Sequence, residues 1–475
     1  MNLSSKSFRC FGPNLLSIHA ITRVNRFSVN QVNSYMCILS RMLITRIPAW
    51  RTTHFEAESR TMKVSKANLV QSLGEVLTST TSLLNVGFMF SETNGFDMES
   101  MAALAKSLPP QCTLIGGCCT NGIISVDNMS GTFIETDAKE LVNARYSLSL
   151  ANMPNTVRRG FHIPLSALES DEGVQKALMY LPAYIPTPKV SAETDNGDTG
   201  TWKVIVLFVD YDAASTLCEE LIKKLQAVYP SASIVGGLLG GTRKPLCIIE
   251  NQKATLFDGG IVGMCIGGEV LFNSQVSRAC KPVTKVAEIL ESTENVVKVV
   301  SVDGCRQNPL TFTQEGFGRA ETPFIGFSSD LNLGFTLNSL KGITSEGHIK
   351  LHDGIVENQK YFQIFSLDPL SAKDDLRLRL DAAKVACASQ SKQALGGLLF
   401  TCCGRGFGFY GEPHVESSIF STSIPSAGLS GFFAGGEVNF ISSTVNTSVL
   451  YIYFYFSSFN QWGCEFYTTS GTVSI

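Results

Sequence analysis

The sequence predicts a mixed α/β protein, in which repeated strand–helix–strand units form two sheet-based halves and no helix crosses a membrane. Short apolar runs recur on both sides of segments with helical periodicity, which is the pattern of strands covered on two faces. After about Cys280 the pattern changes to alternating apolar and polar residues, which is typical of a meander of strands. No apolar run approaches the roughly 18 residues that a membrane-spanning helix needs.

The repeated unit occurs three times along the chain. In the first copy the runs LLNVGFMF and CTLIGGCCTNG flank FDMESMAALAKSLP, in which Met98, Met101, Leu104 and Leu108 fall at helical spacing. The second copy has the same order in WKVIVLFVD, AASTLCEELIKKLQAVYP and ASIVGGLLGGT, and the third has it in LGGLLFTCCGRG, HVESSIFSTSIP and AGLSGFFAGGE. Each copy is therefore predicted to fold as strand, helix and strand.

Each copy ends in a glycine-bearing run, and these glycines have two interpretations. Glycine past a strand end allows positive φ and lets the backbone approach a ligand, and open sheets with crossover helices bind ligands at such ends. On the other interpretation the glycines only make tight packing turns. The first interpretation favours one shared crevice, whose predicted glycines are Gly116, Gly117, Gly236, Gly237, Gly431 and Gly436.

The predicted organisation of the chain has four parts. Residues 1–61 form a basic leader, because the first 55 residues hold no Asp or Glu while Lys and Arg are spread along them. This is the pattern of an organelle transit peptide or of a disordered segment, whereas a true start at Met62 would place the protein in the cytoplasm. Two domains follow at 66–278 and 279–440, and residues 441–475 form an almost uncharged, divergent tail that is expected to leave the last sheet incomplete.

The composition is that of a globular protein without a strong charge bias. With 38 basic and 41 acidic residues, the chain lacks the concentrated positive charge that nucleic-acid binding requires. None of the 14 cysteines forms a C-x-x-C pair, and they are scattered through apolar segments, so most are predicted to be reduced, buried thiols. The apolar run VLYIYFYF near the C-terminus is short and aromatic, so it is predicted to be a strand.

Metal and nucleotide sites are not predicted. His348 and His352 have the spacing of a helical metal pair, but their surroundings alternate as in a strand, where positions four apart lie about 13 Å from each other. The glycine-rich runs lack the order of a phosphate-binding loop and the spacing of a dinucleotide fingerprint. No cofactor is therefore expected.

Cys402 and Cys403 are candidates for a reactive thiol because Arg405 follows them at a strand end. Strand alternation sends their side chains to opposite faces, so one is expected in the core and the other, Cys402, in the crevice. Arg405 and Glu437 end the two strands of one unit. They are predicted either to form a salt bridge or to hold a zwitterionic ligand, unless Glu437 is only a surface residue.

The stretch from Gly396 to Glu437 resembles the C-terminal signature of the FIST-domain family, the F-box and intracellular signal transduction proteins. That signature has a strand ending in GRG, then G-x-P and a helix, then a second strand ending in GE. ACKP, which begins at Ala279, resembles the segment that opens the family's C-terminal half. The matching positions of the signature are Leu399, Phe400, Cys402, Gly404, Arg405, Gly406, Gly411, Pro413, Gly431, Phe432, Phe433, Gly436 and Glu437.

The resemblance implies that 66–278 and 279–440 are FIST N-terminal and C-terminal domains of a non-enzymatic sensory protein in signal transduction. Its ligand is expected to be a small molecule such as an amino acid. Together with the strand-end glycines above, the predicted ligand contacts are Cys402, Gly404, Arg405, Gly406 and Glu437. The family's Asn before GE is replaced by Gly435.

Two alternatives to a sensory protein stay open. The first is a ubiquitin-ligase adaptor with a protein partner, although no F-box is recognisable before Lys66. The second is a thiol-dependent redox sensor or enzyme at Cys402 or Cys403. The resemblance points to stand-alone proteins of cyanobacteria and plastid-bearing lineages, so a chloroplast is favoured over a mitochondrion as the location.

Overall fold

The structure is a computed structural model, and the residues that it describes all belong to the compact unit that spans 48–475. The described ranges are 49–57, 84–92, 96–127, 130–136, 144–169, 173–183, 201–240, 245–293, 296–317, 323–331, 335–338, 340–351, 359–389, 394–425, 427–440 and 451–458. The prediction that the chain before Lys66 holds no recognisable F-box concerns residues outside these ranges, except for the segment at 49–57.

Strands make up most of the described secondary structure. In chain order they are β1 (Ala49–Ala57), β2 (Val86–Ser91), β3 (Thr113–Cys118), β4 (Ile123–Val126), β5 (Phe133–Glu135), β6 (Ala144–Asn152), β7 (Thr156–Ile163), β8 (Trp202–Val209), β9 (Ser233–Leu238), β10 (Pro245–Glu250), β11 (Lys253–Asp258), β12 (Ile261–Gly268), β13 (Leu271–Arg278), β14 (Cys280–Pro282), β15 (Ala287–Thr293), β16 (Val296–Val302), β17 (Cys305–Gln307), β18 (Pro323–Ser328), β19 (Thr336–Asn338), β20 (Leu340–Ile343), β21 (Ile349–Leu351), β22 (Tyr361–Leu367), β23 (Ala394–Cys402), β24 (Gly428–Ala434), β25 (Glu437–Phe440) and β26 (Tyr451–Ser458).

The helices are fewer and most of them are short. They are α1 (Met98–Ser107), α2 (Leu165–Leu168), α3 (Gly173–Leu178), α4 (Tyr211–Val228), α5 (Pro309–Phe317), α6 (Pro369–Ser389), α7 (Phe407–Tyr410) and α8 (Val415–Ser423), with a 3-10 turn at Cys403–Arg405. None of the helices in the described part of the chain has both the length and the apolar character that membrane crossing requires.

The three predicted strand–helix–strand units are confirmed. In each unit the two strands pair in parallel with a helix between them in sequence: β2 and β3 around α1, β8 and β9 around α4, and β23 and β24 around α8. The first helix begins at Met98, because the side chain of Asp97 caps it and accepts a hydrogen bond of 2.8 Å from the backbone N–H of Ser100.

Each unit belongs to a different sheet. The strand orders are β1-β6-β2-β3-β10-β11, β25-β9-β8-β12-β7 and β13-β26-β23-β24-β4-β5. The first and third sheets each contain strands from distant parts of the sequence, and β25 carries the third unit onto the edge of the second sheet beside β9. The three units are therefore joined through shared sheets.

The apolar side chains of the units meet in one aromatic core. Phe208 packs edge-on against Phe90 at 5.0 Å between ring centroids and against Phe400 at 6.0 Å, and Phe400 packs against Phe432 at 5.1 Å. All four rings are fully buried. Because each unit contributes at least one ring, the relative positions of the three units depend on this shared core.

The meander predicted after Cys280 is also confirmed. The nine strands β14 to β22, which span Cys280–Leu367, form a separate nine-stranded sheet in which every pairing is antiparallel. This sheet has a small core of its own, in which Phe362 packs against Phe312 and Phe327.

Two predictions about the chain ends are wrong. The assignment of 1–61 to a leader outside the fold fails at β1, which pairs along its full length with β6. Trp50 is buried there, stacked on Phe88, and it covers the backbone of Gly396, where a side chain would strike the indole. The divergent tail does not leave its sheet incomplete, because β26 lies between β13 and β23 and pairs in parallel with both.

Candidate functional site

The repeated glycines occupy the same structural position in all three units. Gly116 pairs with Met89, Gly236 with Leu207, and Gly431 with Leu399 of the neighbouring parallel strand. A Cβ atom on these glycines would lie 2.4, 1.8 and 1.8 Å, respectively, from the carbonyl oxygen of the paired residue. Real Cβ atoms do not approach other atoms so closely, so only glycine fits this register.

These glycines support strand packing rather than ligand contact. Gly116, Gly236 and Gly431 are buried inside their strands, and so are Gly117 and Gly237. The free side of Gly117 faces the side chain of Leu239, and that of Gly237 faces Ala434 and the ring of Phe432. The structure therefore places five of the predicted ligand-contact glycines in the core, in agreement with the packing interpretation.

The ends of the second strands nevertheless converge. Leu238 donates a backbone hydrogen bond of 2.8 Å to the carbonyl of Gly436 and accepts one of 2.9 Å from Gly435. The first unit joins them because the thiol of Cys119 lies 3.1 Å from the carbonyl oxygen of Phe433. The three strand ends thus meet at one point, as a shared crevice requires.

We define the strand-end site by Asn121, Gly240, Cys403, Gly435 and Glu437. The side chain of Asn121 lies against the backbone of Gly240, 2.6 Å from where a Cβ would stand. Gly435 is half-buried, and the nearest atoms to a Cβ placed on it are 3.8 and 3.9 Å away, so a Cβ fits there without displacing a neighbour. Asn121 and Gly435 are residues that sequence reasoning did not assign to the site.

Glu437 carries the charge of this site. It begins β25 opposite Gly237, and its Oε1 atom is buried without a hydrogen-bond partner. Burial raises the pKa of the Glu437 carboxyl well above its ordinary value, the neighbouring Cys403 raises it further, and Arg405 offsets part of the rise. A buried acceptor without a donor is costly, so this oxygen is a position where a ligand donor would be stabilised.

Arg405 is positioned differently from the prediction. Its guanidinium is fully buried, and it pairs with Glu416 of α8 at 2.5 Å instead of forming the predicted salt bridge with Glu437. Further hydrogen bonds of 2.9 Å to the hydroxyl of Tyr410 and 3.3 Å to the carbonyl of Ser277 hold it in place. Arg405 therefore fixes α7, α8 and the end of β13 together, and its donors are directed away from the strand-end site.

Glu135 is a second buried carboxyl that sequence reasoning missed. Its Oε2 accepts hydrogen bonds of 3.0 Å from the backbone N–H and 2.8 Å from the hydroxyl of Ser417, in the first turn of α8. Burial and the nearby Glu416 carboxylate raise the pKa of Glu135 to about 7. Glu135 thereby joins β5, which follows the first unit in sequence, to α8, the helix of the third unit.

The adjacent cysteines differ in environment, with the opposite assignment to the one predicted. Both cysteines pack with the cluster of Phe324 and Phe365 and lie near Glu437, but Cys402 is buried whereas Cys403 is half-buried. A hydrogen bond with Cys403, together with burial, raises the pKa of the Cys402 thiol well above its ordinary value. The thiol at the strand-end site is therefore Cys403.

The other predicted contacts shape the turn that follows β23. Gly404 donates its backbone N–H to the sulfur of Cys402 at 3.4 Å, and the carbonyl of Gly406 accepts the first hydrogen bonds of α7. Gly436 lies beside the site and contacts the side chain of Leu238. His348 directly precedes β21, His352 lies outside the described residues, and no group of metal-ligating side chains is found within the described ranges.

The three strand–helix–strand units and the separate antiparallel sheet define a mixed α/β protein of the class that the strand-end signature indicates, and comparison with known families agrees. The FIST N domain matches residues 85–304 and the FIST C domain matches residues 298–439. The chain therefore belongs to the FIST family. The predicted domain start at 279 lies ahead of the start of the FIST C match, and it stays a prediction.

The curated relatives are bacterial and uncharacterized. One protein of Mycobacterium tuberculosis strain H37Rv is 26% identical over 235 residues, which cover 46% of this chain and 59% of that protein. One protein of Mycobacterium bovis is 27% identical over 234 residues, which cover 46% of this chain and 58% of that protein. The match thus spans less than two thirds of either relative.

Proposed function

We propose that the protein is a non-enzymatic sensor that binds a small molecule, such as an amino acid, at the strand-end site. FIST domains are associated with signal transduction and the sensing of small ligands. The observation that carries the proposal is the buried, unpartnered carboxylate oxygen of Glu437 near Gly435, where a Cβ would meet no atom closer than 3.8 Å. Polar groups that converge at strand ends in this way are typical of ligand sites.

The two alternatives receive less support from the described residues. A thiol enzyme needs an accessible thiolate, but the hydrogen bond with Cys403 and burial raise the pKa of the Cys402 thiol well above its ordinary value. A ubiquitin-type adaptor would need an F-box, and the chain before residue 84 is described only at 49–57. A chloroplast location and a protein partner in signalling stay predictions.

Replacement of Gly435 by leucine is expected to abolish ligand binding without unfolding the protein. A Cβ at Gly435 would stand in ordinary contact with Asn121 and the carbonyl of Leu238 without a clash, and the larger leucine side chain is expected to occupy the strand-end site. Thermal-shift screening of the wild type against amino acids, amines and nucleotides is expected to give compounds that raise the melting temperature by a few °C, since a ligand at 100 times its Kd stabilises by about 2.7 kcal/mol. The same compounds are expected to give no shift with the leucine variant.

The matched control is Gly408→Leu, because Gly408 is exposed in α7 and a Cβ there would meet nothing within 4 Å. This control variant should respond to ligands like the wild type. Gly435→Asn, which restores the family residue, tests whether a smaller side chain also narrows the site. If no compound stabilises the wild type, or if Gly435→Leu responds as the wild type does, the proposed ligand site is wrong.

A further inference from the structure

We infer that the group recognised at the strand-end site is a primary ammonium, and that Glu437 is its anchor. This inference rests on the proposed function and specifies its ligand class. It separates the roles that the sequence assigned jointly to Arg405 and Glu437, because the hydrogen-bond donors of Arg405 go to Glu416, Tyr410 and Ser277. Ammonium ligands without a carboxylate are therefore expected to bind, as well as amino acids.

The charge balance around Glu437 supports a cationic ligand. The charged and titratable groups that act on its carboxyl are Cys403, Arg405 and Glu416. Arg405 is paired with Glu416, so these two charges balance each other within 2.5 Å. When it is ionised, the Glu437 carboxylate is then the uncompensated charge of the group, and a buried, uncompensated charge is stabilised most by an opposite charge with hydrogen bonds.

The shape and the neutral groups of the site also suit an ammonium. Of the two glycines before Glu437, Gly436 packs against the side chain of Leu238, whereas a Cβ on Gly435 would meet only ordinary contacts at 3.8 and 3.9 Å, so Gly435 is the less crowded side of the site. The amide oxygen of Asn121, 2.6 Å from a Cβ placed on Gly240, is a neutral acceptor at the strand-end site, whereas the amide nitrogen lies on the side of Gly435. An ammonium group has three donors, and it can use a carboxylate and an amide oxygen together.

The unliganded carboxyl is expected to take up a proton that the ammonium replaces. Burial favours the neutral form of Glu437, so the unliganded protein holds a proton there up to a higher pH than an exposed glutamate would. Binding of an ammonium favours the carboxylate and releases this proton. Affinity is therefore expected to rise with pH until the ammonium itself loses its proton.

Isothermal titration calorimetry with three matched sets of probes tests the inference: the twenty amino acids, their α-amides, and their N-acetyl derivatives. The α-amide keeps the ammonium and removes the carboxylate, whereas the N-acetyl derivative does the opposite. For any amino acid that binds, we expect its α-amide to bind within about tenfold and its N-acetyl derivative to lose at least about 100-fold in affinity. Titration at pH 6.5 in buffers of different ionisation enthalpy is expected to show proton release on binding.

Glu437→Gln is expected to lower the affinity for amides at least about 30-fold and to remove the proton release, because the neutral side chain keeps its shape and loses its charge. The control is Glu412→Gln, an exposed carboxylate that should leave both readouts unchanged. Equal binding of N-acetyl derivatives, or full binding by Glu437→Gln, would overturn the inference. If N-acetyl derivatives bind the wild type and Gly435→Leu abolishes their binding, the proposed function stands while the ammonium assignment fails. If no probe binds the wild type, both fail.

Discussion

Replacement of Arg405 by alanine is expected to lower the free energy of unfolding by about 3–5 kcal/mol. The variant would leave the Glu416 carboxylate buried without its cation, and the hydroxyl of Tyr410 would lose a donor. The nearby Glu135 carboxyl would then face an uncompensated charge in the same cluster. The loss should be visible as a lower midpoint in urea unfolding followed by circular dichroism.

The control for this prediction is Arg377→Ala, which removes an exposed ion pair with Asp374 and should cost less than about 1 kcal/mol. The double variant Arg405→Ala with Glu416→Ala is expected to lose less free energy of unfolding than the two single variants lose together, because neither buried charge is left without its partner. It also keeps the prediction testable if the single variant does not fold. A loss below about 1 kcal/mol for Arg405→Ala would contradict the assigned role of the ion pair.

Gly431→Ala is expected to destabilise the protein by about 3 kcal/mol or more, at the upper end of overpacking costs. The added methyl group would lie 1.8 Å from the carbonyl oxygen of Leu399, so β23 and β24 would have to move apart. Gly236→Ala should behave in the same way, because the equivalent distance to the carbonyl of Leu207 is also 1.8 Å. Thermal and urea unfolding of both variants measure the effect.

Gly408→Ala is the matched control, since the added methyl group meets nothing within 4 Å and alanine favours the helical backbone of α7. It should be neutral or slightly stabilising. If Gly431→Ala is as stable as the wild type, the glycines are not required for the pairing of the parallel strands, and their repetition needs another explanation.

The sequence predicted the parts of this fold that depend on local pattern. The three units were found because apolar runs and helical spacing are properties of neighbouring residues, as at Met98 and Met101 in α1. The strand meander after Cys280 was found for the same reason. The choice between two roles for the repeated glycines could not be made, because it depends on which carbonyl of another strand lies opposite.

The long-range partners could not be predicted from local pattern. Arg405 was identified as important, but its partner Glu416 lies in an amphipathic helix where a carboxylate is ordinarily exposed. The role of Glu135 depends on packing against a helix 282 positions later in the chain. Strand β1 was missed, and β26 was predicted as a strand but not as a part of the third sheet, because their pairing partners are distant in sequence.

The most direct test of the central claim is the alkylation rate of Cys403, measured by mass spectrometry with and without ligand. Cys403 is half-buried at the strand-end site, and the exposed Cys305 lies in the nine-stranded sheet and serves as an internal reference. A saturating ligand is expected to slow alkylation of Cys403 at least about fivefold while Cys305 reacts at an unchanged rate, because accessibility limits thiol reactivity. An unchanged rate at Cys403 under saturating ligand would show that the ligand binds elsewhere and would contradict the strand-end site.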